Sequence, residues 1–349
     1  MQRGDLMDDQ TLLKGKNVLV TGGTGSFGNQ IVDRLLLMNP AKITIFSRDE
    51  NKQYHMCNKY AEHKDLLKFQ IGDVRDAARL DEVMYGVDVV FHAAALKHVP
   101  QCEYFPFEAV KTNIIGSKNV VEAAIDAGVG QVVTVSTDKA VKPINAMGMS
   151  KAIQEKIFFA ANGRSDTRFM CVRYGNVIGS RGSVIPRFQQ LIKDGKPLTI
   201  TDERMTRFWL TLDEAINLVF LAVSEGKGGE TFVRKMPACK ITQLARVMGE
   251  VYANRADYPV KVTGLRPGEK IHEILVSEEE MTRTHEFDDH FVTYWYDQAK
   301  GAKLRKDWFE YDSKGTEQLS DEQIKALLKK ITPPDEVVPE FKPFDAKAK

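Results

Sequence analysis

The chain is poor in cysteine, with four among 349 residues: Cys57, Cys102, Cys171 and Cys239. No two of them stand in a CxxC spacing, which excludes a zinc ribbon and a dithiol redox motif. Few, scattered thiols suit a reducing compartment, so a cytoplasmic location is expected. No apolar run approaches the roughly 20 residues that cross a bilayer, and no membrane segment is expected. Met1 to Lys16 carries Asp5, Asp8 and Asp9 and no apolar core, unlike a secretory leader. Neither charge sign dominates: Lys+Arg is 49 and Asp+Glu is 48, a formal net charge of +1. That balance excludes a polybasic nucleic-acid binder and an acidic solvating chain. It leaves open an anionic small ligand held by local charge. No internal repeat is present.

What remains is the composition of a globular protein, 43% hydrophobic and 28% charged. At roughly 150 residues per domain the length suggests about two domains, enough for a full core without disulfides or metals. The first half alternates β-rich runs with helical periodicity. Strands are expected at Asn17–Thr21, Lys42–Phe46, Leu67–Ile71, Val87–His92, Gln131–Ser136 and Phe169–Tyr174. Helices fall between them, at Phe27–Met38 and, longest, from about Phe107 to Ala127. This alternation predicts an α/β fold with a doubly wound parallel sheet of Rossmann type. After Tyr174 the regularity fades. Helices are expected at Leu212–Ser224 and at Ile241–Ala253, the latter with Thr242 as cap, and strands at Glu230–Arg234 and Tyr258–Thr263. The expected division is a cofactor domain over 14–178, with 208–238 returning to it. A smaller, discontinuous substrate domain takes 179–207 and 239–331. Residues 332–349, with prolines among charges, read as an extended or disordered tail.

The first strand runs into Thr21-Gly-Gly-Thr-Gly-Ser-Phe-Gly28. Gly22, Gly25 and Gly28 stand where a dinucleotide-binding turn belongs, between a first strand and a first helix. Such a turn lets a pyrophosphate approach the backbone and meet free N–H groups at the helix start. Thr24, Ser26 and Phe27 belong to the same turn. Strand two ends in Phe46-Ser-Arg-Asp49. Ser47 and Arg48 occupy the place where an NAD site carries an acid. Arg48 suits a 2′-phosphate, which favours NADP over NAD, although a one-residue shift would bring Asp49 to the ribose. Asp73, in Gly72-Asp-Val74, reads either as an acceptor for the adenine amine or as a helix cap.

Three further runs, Phe91-His-Ala-Ala-Ala95, Val135-Ser-Thr-Asp-Lys139 and Asn145-Ala-Met-Gly-Met-Ser-Lys151, complete a resemblance. With the glycine turn they resemble the extended short-chain dehydrogenase/reductase family. The narrower resemblance is to its UDP-N-acetylglucosamine 4,6-dehydratases of polysaccharide and glycoprotein sugar synthesis. It rests on Phe46-Ser-Arg-Asp-Glu50, Ala94-Ala-Leu-Lys-His-Val-Pro100, Ser136-Thr-Asp-Lys-Ala140, Arg181-Gly-Ser-Val-Ile-Pro186, Met205-Thr-Arg-Phe208 and Arg266-Pro-Gly-Glu-Lys270. It covers about Lys14 to Glu280. One position departs from the wider pattern of Tyr-x-x-x-Lys: Met147 stands where the tyrosine would, four residues before Lys151. A thioether neither takes nor gives a proton. The departure argues against a UDP-sugar 4-epimerase or a simple reductase. A branch of the dehydratases shares it.

The resemblance implies oxidation at sugar carbon 4, loss of the carbon 5 proton with the 6-hydroxyl, and reduction at carbon 6, on a tightly held cofactor. It makes Asp138 the general acid and Lys139 the base. The first needs a raised pKa and the second a lowered one. Thr137 would bond the sugar, Lys151 the nicotinamide ribose, and Met147 would pack against either. The cofactor set is completed by Asp73, Val74, Ala93, Ala94, Ala95, Tyr174, Asn176 and Val177. Substrate contacts are expected from Lys97, Asn176, Arg181, Val184, Arg207, Arg266 and Glu269, with guanidinium forks suited to a diphosphate. Asn113 is expected to bridge backbone. The resemblance also implies a homo-oligomer, commonly a hexamer, and leaves inversion at carbon 5 favoured over retention. The rival readings are a UDP-hexosamine epimerase and a non-catalytic NADP-binding regulator. His285 to His290 matches no standard zinc spacing, so no metal is expected. His92 reads as packed, and Phe291 to Tyr296 as a strand or an interface.

Overall fold

The computed structural model describes residues 11–180, 182–295 and 309–330. Arg181, Tyr296 and the expected tail at 332–349 lie outside them. A nine-stranded sheet organises the chain: β1 (Asn17–Thr21), β2 (Lys42–Ser47), β3 (Leu67–Ile71), β4 (Val89–His92), β5 (Gln131–Val135), β6 (Arg168–Arg173), β7 (Glu230–Arg234), β8 (Thr284–Glu286) and β9 (His290–Tyr294). Their order across the sheet is β8-β9-β7-β6-β5-β4-β1-β2-β3. From β3 to β7 every pairing is parallel. β9 pairs antiparallel with β7, and β8 antiparallel with β9. The Rossmann-type expectation therefore holds.

Both faces of the sheet are covered, which is why its strands read as continuous apolar runs rather than alternating ones. In β1 the side chains of Val18 and Val20 join one core cluster with Ile43, Ile45 and Phe91. Leu19 points to the other face, among Val90, Val132 and Phe169. Strand order reverses between β1 and β4, and the crevice outside their carboxyl ends is where such sheets bind ligands.

The smaller unit has its own core, built on Ile185, Phe188, Trp209, Leu244 and Val247. Its three-stranded sheet joins Ala238–Lys240, Thr206–Leu210 and Asn176–Val177. Two boundaries differ from the expected division. β8 and β9, placed with the substrate domain from sequence, extend the large sheet. Thr206–Leu210, at the start of the returning segment, pairs with the smaller sheet, and only the helix Leu212–Glu225 and β7 return to the large one.

Three local expectations also change. The single long helix from Phe107 is a series: Pro106–Ala109, a π-helical turn at Val110–Ile115, and Gly116–Asp126. The wide turn contains Asn113, whose amide donates to the Leu96 carbonyl and accepts from the Leu96 N–H, both at about 2.9 Å. That is the backbone-bridging role expected of it. Thr242 does not cap the helix Ile241–Ala253; Lys240 holds the cap position. A strand runs directly into this helix, and the first free donor, Ile241 N–H, meets the Met205 carbonyl at 3.0 Å. The strand expected at Tyr258–Thr263 shrinks to Val260–Val262, which pairs parallel with Leu198–Ile200.

Candidate active site

A cleft of about 730 Å³ opens at the strand-order reversal. Its lining runs from the glycine turn, past the ends of β2 and β4, to Thr137, Lys139, Met147 and Lys151.

At the turn, Gly22 has φ +68°. A Cβ there would lie 2.8 Å from the Ala94 backbone, at the end of β4. Gly28 sits in the first turn of the helix Ser26–Leu35, and a Cβ on it would lie 2.2 Å from the Gly23 carbonyl oxygen. Glycine is required at both places for strand, turn and helix to close on one another. The helix is capped by Gly25, which has no side chain to satisfy its first amides. Those amides and the helix dipole suit a pyrophosphate. Thr24, Ser26 and Phe27 line the same wall, whereas Gly28 does not line it and packs against the Gly23 backbone.

Ser47, Arg48, Asp49 and Asp73 line the wall beyond. Asp49 is committed to the helix Glu50–Lys59, where it accepts the Lys52 N–H at 3.0 Å and meets the Lys52 ammonium at 2.8 Å. These Lys52 contacts hold its carboxyl below the usual range. Asp73 binds Arg75 through Nη2 at 2.6 Å and has Arg48 at 3.6 Å. It is not a helix cap, since Asp76 caps the following helix. Arg48 stays half-exposed over the cleft.

At the other end, β5 leads into a short 3-10 turn at Asp138–Ala140. Asp138 is fully buried. Its Oδ1 accepts from Thr137 Oγ1 at 2.8 Å and from Lys139 Nζ at 2.9 Å. Its Oδ2 is buried with no hydrogen-bond partner. Burial raises the Asp138 pKa, Lys139 opposes the shift, and the charge of Glu273 reinforces it. That is the direction expected of Asp138 from the sequence. Lys139 has the opposite of its expected shift. Burial opposes its charge, but Asp138 and Glu273 outweigh burial and raise its pKa. Spacing alone had paired Lys139 with one carboxylate; the fold brings a second within 3.4 Å.

Glu273 was not among the site residues expected from sequence. It follows Lys270 by three positions, just beyond the run Arg266 to Lys270 that carried the resemblance, and nothing in its local sequence marks it. Its carboxylate is buried, 3.7 Å from Arg207 Nε and 4.0 Å from Lys270 Nζ. Arg207 itself is spent inward: its guanidinium donates to the carbonyls of Thr206, Lys270 and Ile271.

Lys151 and Met147 come from the helix Ala146–Ala161, capped by Asn145. Lys151 Nζ donates to the Val135 carbonyl at 2.6 Å and to Gln154 Oε1. Burial pushes its pKa down to about 8. Met147 is buried in a small cluster with Cys102 and Ala109 and presents its remaining surface to the cleft. Val74, Ala93, Ala94, Ala95, Lys97, Tyr174, Asn176 and Val177 all line the cleft, as do His98, Ser180 and Gly182, which sequence reasoning had not assigned. Val184, Arg207, Arg266 and Glu269 do not line it. Val184 opens the helix Val184–Lys193, and Glu269 accepts the Arg266 N–H at 3.1 Å. His92 is a core residue held between Thr21 and Ser117, with its pKa lowered by burial to about 3. Among the described residues no cluster of His, Cys, Asp and Glu could hold a metal ion.

The glycine turn, the uncapped helix start and Arg48 fit a dinucleotide along the first wall; Thr137 and Lys139 line the space beyond, and Asp138 is fully buried behind them and does not line it. No helix among the described residues is long and apolar enough to cross a membrane.

Comparison with known proteins agrees with this architecture. The chain is 45% identical over 333 residues to an uncharacterized membrane protein of Methanocaldococcus jannaschii, covering 93% of this chain and 98% of that one. It is 45% identical to a UDP-glucose 4-epimerase of Rickettsia conorii, covering 90% and 95%. The crystal structure of Pen from Bacillus thuringiensis superimposes with a TM-score of 0.86 at 39% identity, covering 91% and 98%. Residues 18–294 match the family described as polysaccharide biosynthesis protein, and the chain belongs to that family.

Proposed function

We propose that this protein is an NADP-dependent sugar-nucleotide 4,6-dehydratase. It acts on UDP-N-acetylglucosamine and releases a UDP-4-keto-6-deoxy-hexosamine, with inversion at carbon 5. One observation carries the reading. A buried carboxyl with a raised pKa and a lysine ammonium share a 2.9 Å hydrogen bond beside the dinucleotide cleft, and methionine stands where a tyrosine base would.

A nicotinamide dinucleotide bound along the first wall supplies reversible oxidation of the sugar. The glycine turn and the helix start hold its pyrophosphate, Arg48 its 2′-phosphate, and Lys151 its nicotinamide ribose. Elimination across carbons 5 and 6 needs an acid for the departing hydroxyl and a base for the carbon 5 proton. Asp138 and Lys139 can share one proton along their contact. With that proton on Asp138, the pair is a carboxylic acid beside a neutral amine, the combination required. Asp138 gives its proton to the 6-hydroxyl, and Lys139 takes the proton from carbon 5. The pair ends as carboxylate and ammonium, and proton transfer between them resets it; the proton lost from the 4-hydroxyl on oxidation passes through Lys139 to water before the elimination, and carbon 5 regains a proton from water when carbon 6 is reduced. Thr137 holds Asp138 Oδ1 and orients the acid. Lys97 and Asn176, which line the cleft, meet the sugar nucleotide.

A UDP-hexosamine 4-epimerase is the second reading, favoured by the name of the Rickettsia conorii relative. It needs a proton acceptor at the position of Met147, which a thioether does not provide. A non-catalytic NADP-binding regulator is disfavoured by the intact Asp138–Lys139 pair. Incubation with UDP-N-acetylglucosamine, followed by mass spectrometry of the nucleotide sugar, separates the three. Loss of one water is expected; an isomer of unchanged mass favours the epimerase, and no conversion of any UDP-hexosamine favours the regulator. The four free cysteines fit the cytoplasm as the place of action. A homo-oligomer, a hexamer by resemblance, is the expected assembly.

A further inference from the structure

Glu273 sits where a structural carboxylate has little reason to be. Its side chain is 3% exposed, and its Oε2 is buried without a hydrogen bond. A buried carboxylate is expensive unless its charge is used. Its backbone is clamped on both sides. Glu273 N–H donates to Ser313 Oγ at 2.9 Å, Ser313 N–H returns a bond to the Glu273 carbonyl at 2.8 Å, and Ser313 Oγ lies 2.7 Å from Thr206 Oγ1. The clamp aims the carboxylate across the boundary between the two units, at Lys139.

The groups that face it come from three elements. Asp138 and Lys139 belong to the 3-10 turn, Arg207 to the strand Thr206–Leu210, and Lys270 to its own segment. His272, beside it in sequence, is turned to Thr206 Oγ1. The cluster thus sets two carboxylates among three cations. Burial opposes its charge, but Lys139 first, then Arg207 and Lys270, outweigh burial and hold Glu273 in its ionised form.

We propose that Glu273 is a positioning residue of the acid–base centre, a fixed negative charge that holds the Lys139 side chain against Asp138 and favours retention of a proton on that pair. It touches neither sugar nor cofactor and acts through Lys139 and Asp138. An anion beside Lys139 favours the ammonium, and the same anion near Asp138 favours the carboxylic acid. Both effects bind protons more tightly to the pair. Glu273 therefore keeps Asp138 supplied with the proton it gives to the leaving hydroxyl, and sets how far the pH must rise before Lys139 is free to act. The inference rests on the dehydratase reading for the roles of Asp138 and Lys139, but the charge coupling does not.

The test compares wild type, Glu273→Gln and Glu273→Asp. The pH profile of kcat for dehydration of UDP-N-acetylglucosamine is expected to move as a whole toward acid in Glu273→Gln, by about 1–3 pH units on each limb, with little change in KM. Glu273→Asp keeps the charge one methylene further from Lys139 and is expected to move the limbs the same way by less. A purely structural role would lower kcat at every pH without moving the limbs, and that result, or an unchanged profile, overturns the inference. If Glu273→Gln does not fold, an unmoved profile in Glu273→Asp overturns it alone. The second measurement needs no turnover. The protonated-carboxyl infrared band of Asp138, identified by its loss in Asp138→Asn, is followed against pH. Its titration midpoint is expected to fall when Glu273 is neutralised. An active enzyme whose band does not move sinks the role of Glu273 and leaves the dehydratase standing. A band that moves in a protein with no dehydratase activity leaves the coupling standing and removes the dehydratase.

Discussion

Lys151 places its ammonium 2.6 Å from the Val135 carbonyl, inside a protein wall that leaves it almost no water. Burial lowers its pKa from 10.5 to about 8. The sign of the consequence follows from proton binding. Below about pH 8 lysine is charged in both folded and unfolded chains, and the folded state bears the full penalty of burying it. Between about 8 and 10.5 the unfolded chain holds more protons, so this group's contribution to stability improves as pH rises. The total change is about 3 kcal/mol. Urea melts of wild type and Lys151→Met across pH 7 to 10.5 check this. The stability difference, wild type minus variant, is expected to rise with pH in that window. A difference that is flat or falls with pH contradicts the lowered pKa.

The cofactor preference turns on which group is free at the end of β2. Asp49 is occupied by Lys52 through its N–H and its ammonium, whereas Arg48 is half-exposed over the cleft. Arg48→Ala is expected to weaken NADP by about 1.5–3 kcal/mol, the worth of hydrogen bonds to a charged group, and to leave NAD nearly unchanged. Asp49→Asn is expected to leave the preference in place. Isothermal titration with both dinucleotides reads this; equal loss for the two would remove Arg48 from the 2′-phosphate.

Gly28→Ala tests the phosphate turn. The new methyl would meet the Gly23 backbone at 2.2 Å, and backbone cannot swing aside as a flexible side chain can. A loss of about 1–3 kcal/mol of stability is expected from overpacking, together with weakened dinucleotide binding. Thermal melts with and without cofactor measure both, and a variant as stable and as well bound as wild type would show that the turn is looser than described.

Asp138→Asn retains the shape of the acid and removes its proton. Dehydration is expected to fall by about 10²–10⁴-fold, the usual worth of a general acid, while dinucleotide affinity is unchanged. Product formation is read by mass spectrometry and binding by titration. Near-full activity would remove Asp138 as the acid.

Much of this site is legible in the sequence because its parts are local. The glycine turn, Thr137-Asp138-Lys139 and Met147 to Lys151 each lie within one short run, and a β–turn–α pattern places such runs at the carboxyl edge of the sheet. The misses are long-range. Nothing in the local sequence shows that Glu273 crosses to Lys139, because that meeting depends on the Ser313 clamp and on how the smaller sheet folds back. The same lack of long-range information put β8 and β9 in the wrong unit: short strands carry little pattern, and antiparallel pairing at a sheet edge depends on tertiary contact. Arg207 read as a phosphate ligand because a buried arginine spent on backbone carbonyls looks the same in sequence as one aimed into a cleft.

Met147 allows a sharper distinction between packing and chemistry. It is buried against Cys102 and Ala109 and lines the cleft, as Lys139 and Lys151 do. If its role is to fill space beside the sugar, a side chain of similar volume with no sulfur should serve, since such exchanges usually cost less than about 1.5 kcal/mol. Met147→Leu is therefore expected to keep dehydration within about tenfold of wild type, the kinetic equivalent of that energy. Met147→Ala, which leaves a void beside the substrate, is expected to raise KM more than it lowers kcat. Steady-state kinetics on the two variants decides it. Loss of turnover in Met147→Leu by more than a hundredfold, on the order of twice that energy, would show that the sulfur is needed for more than its volume.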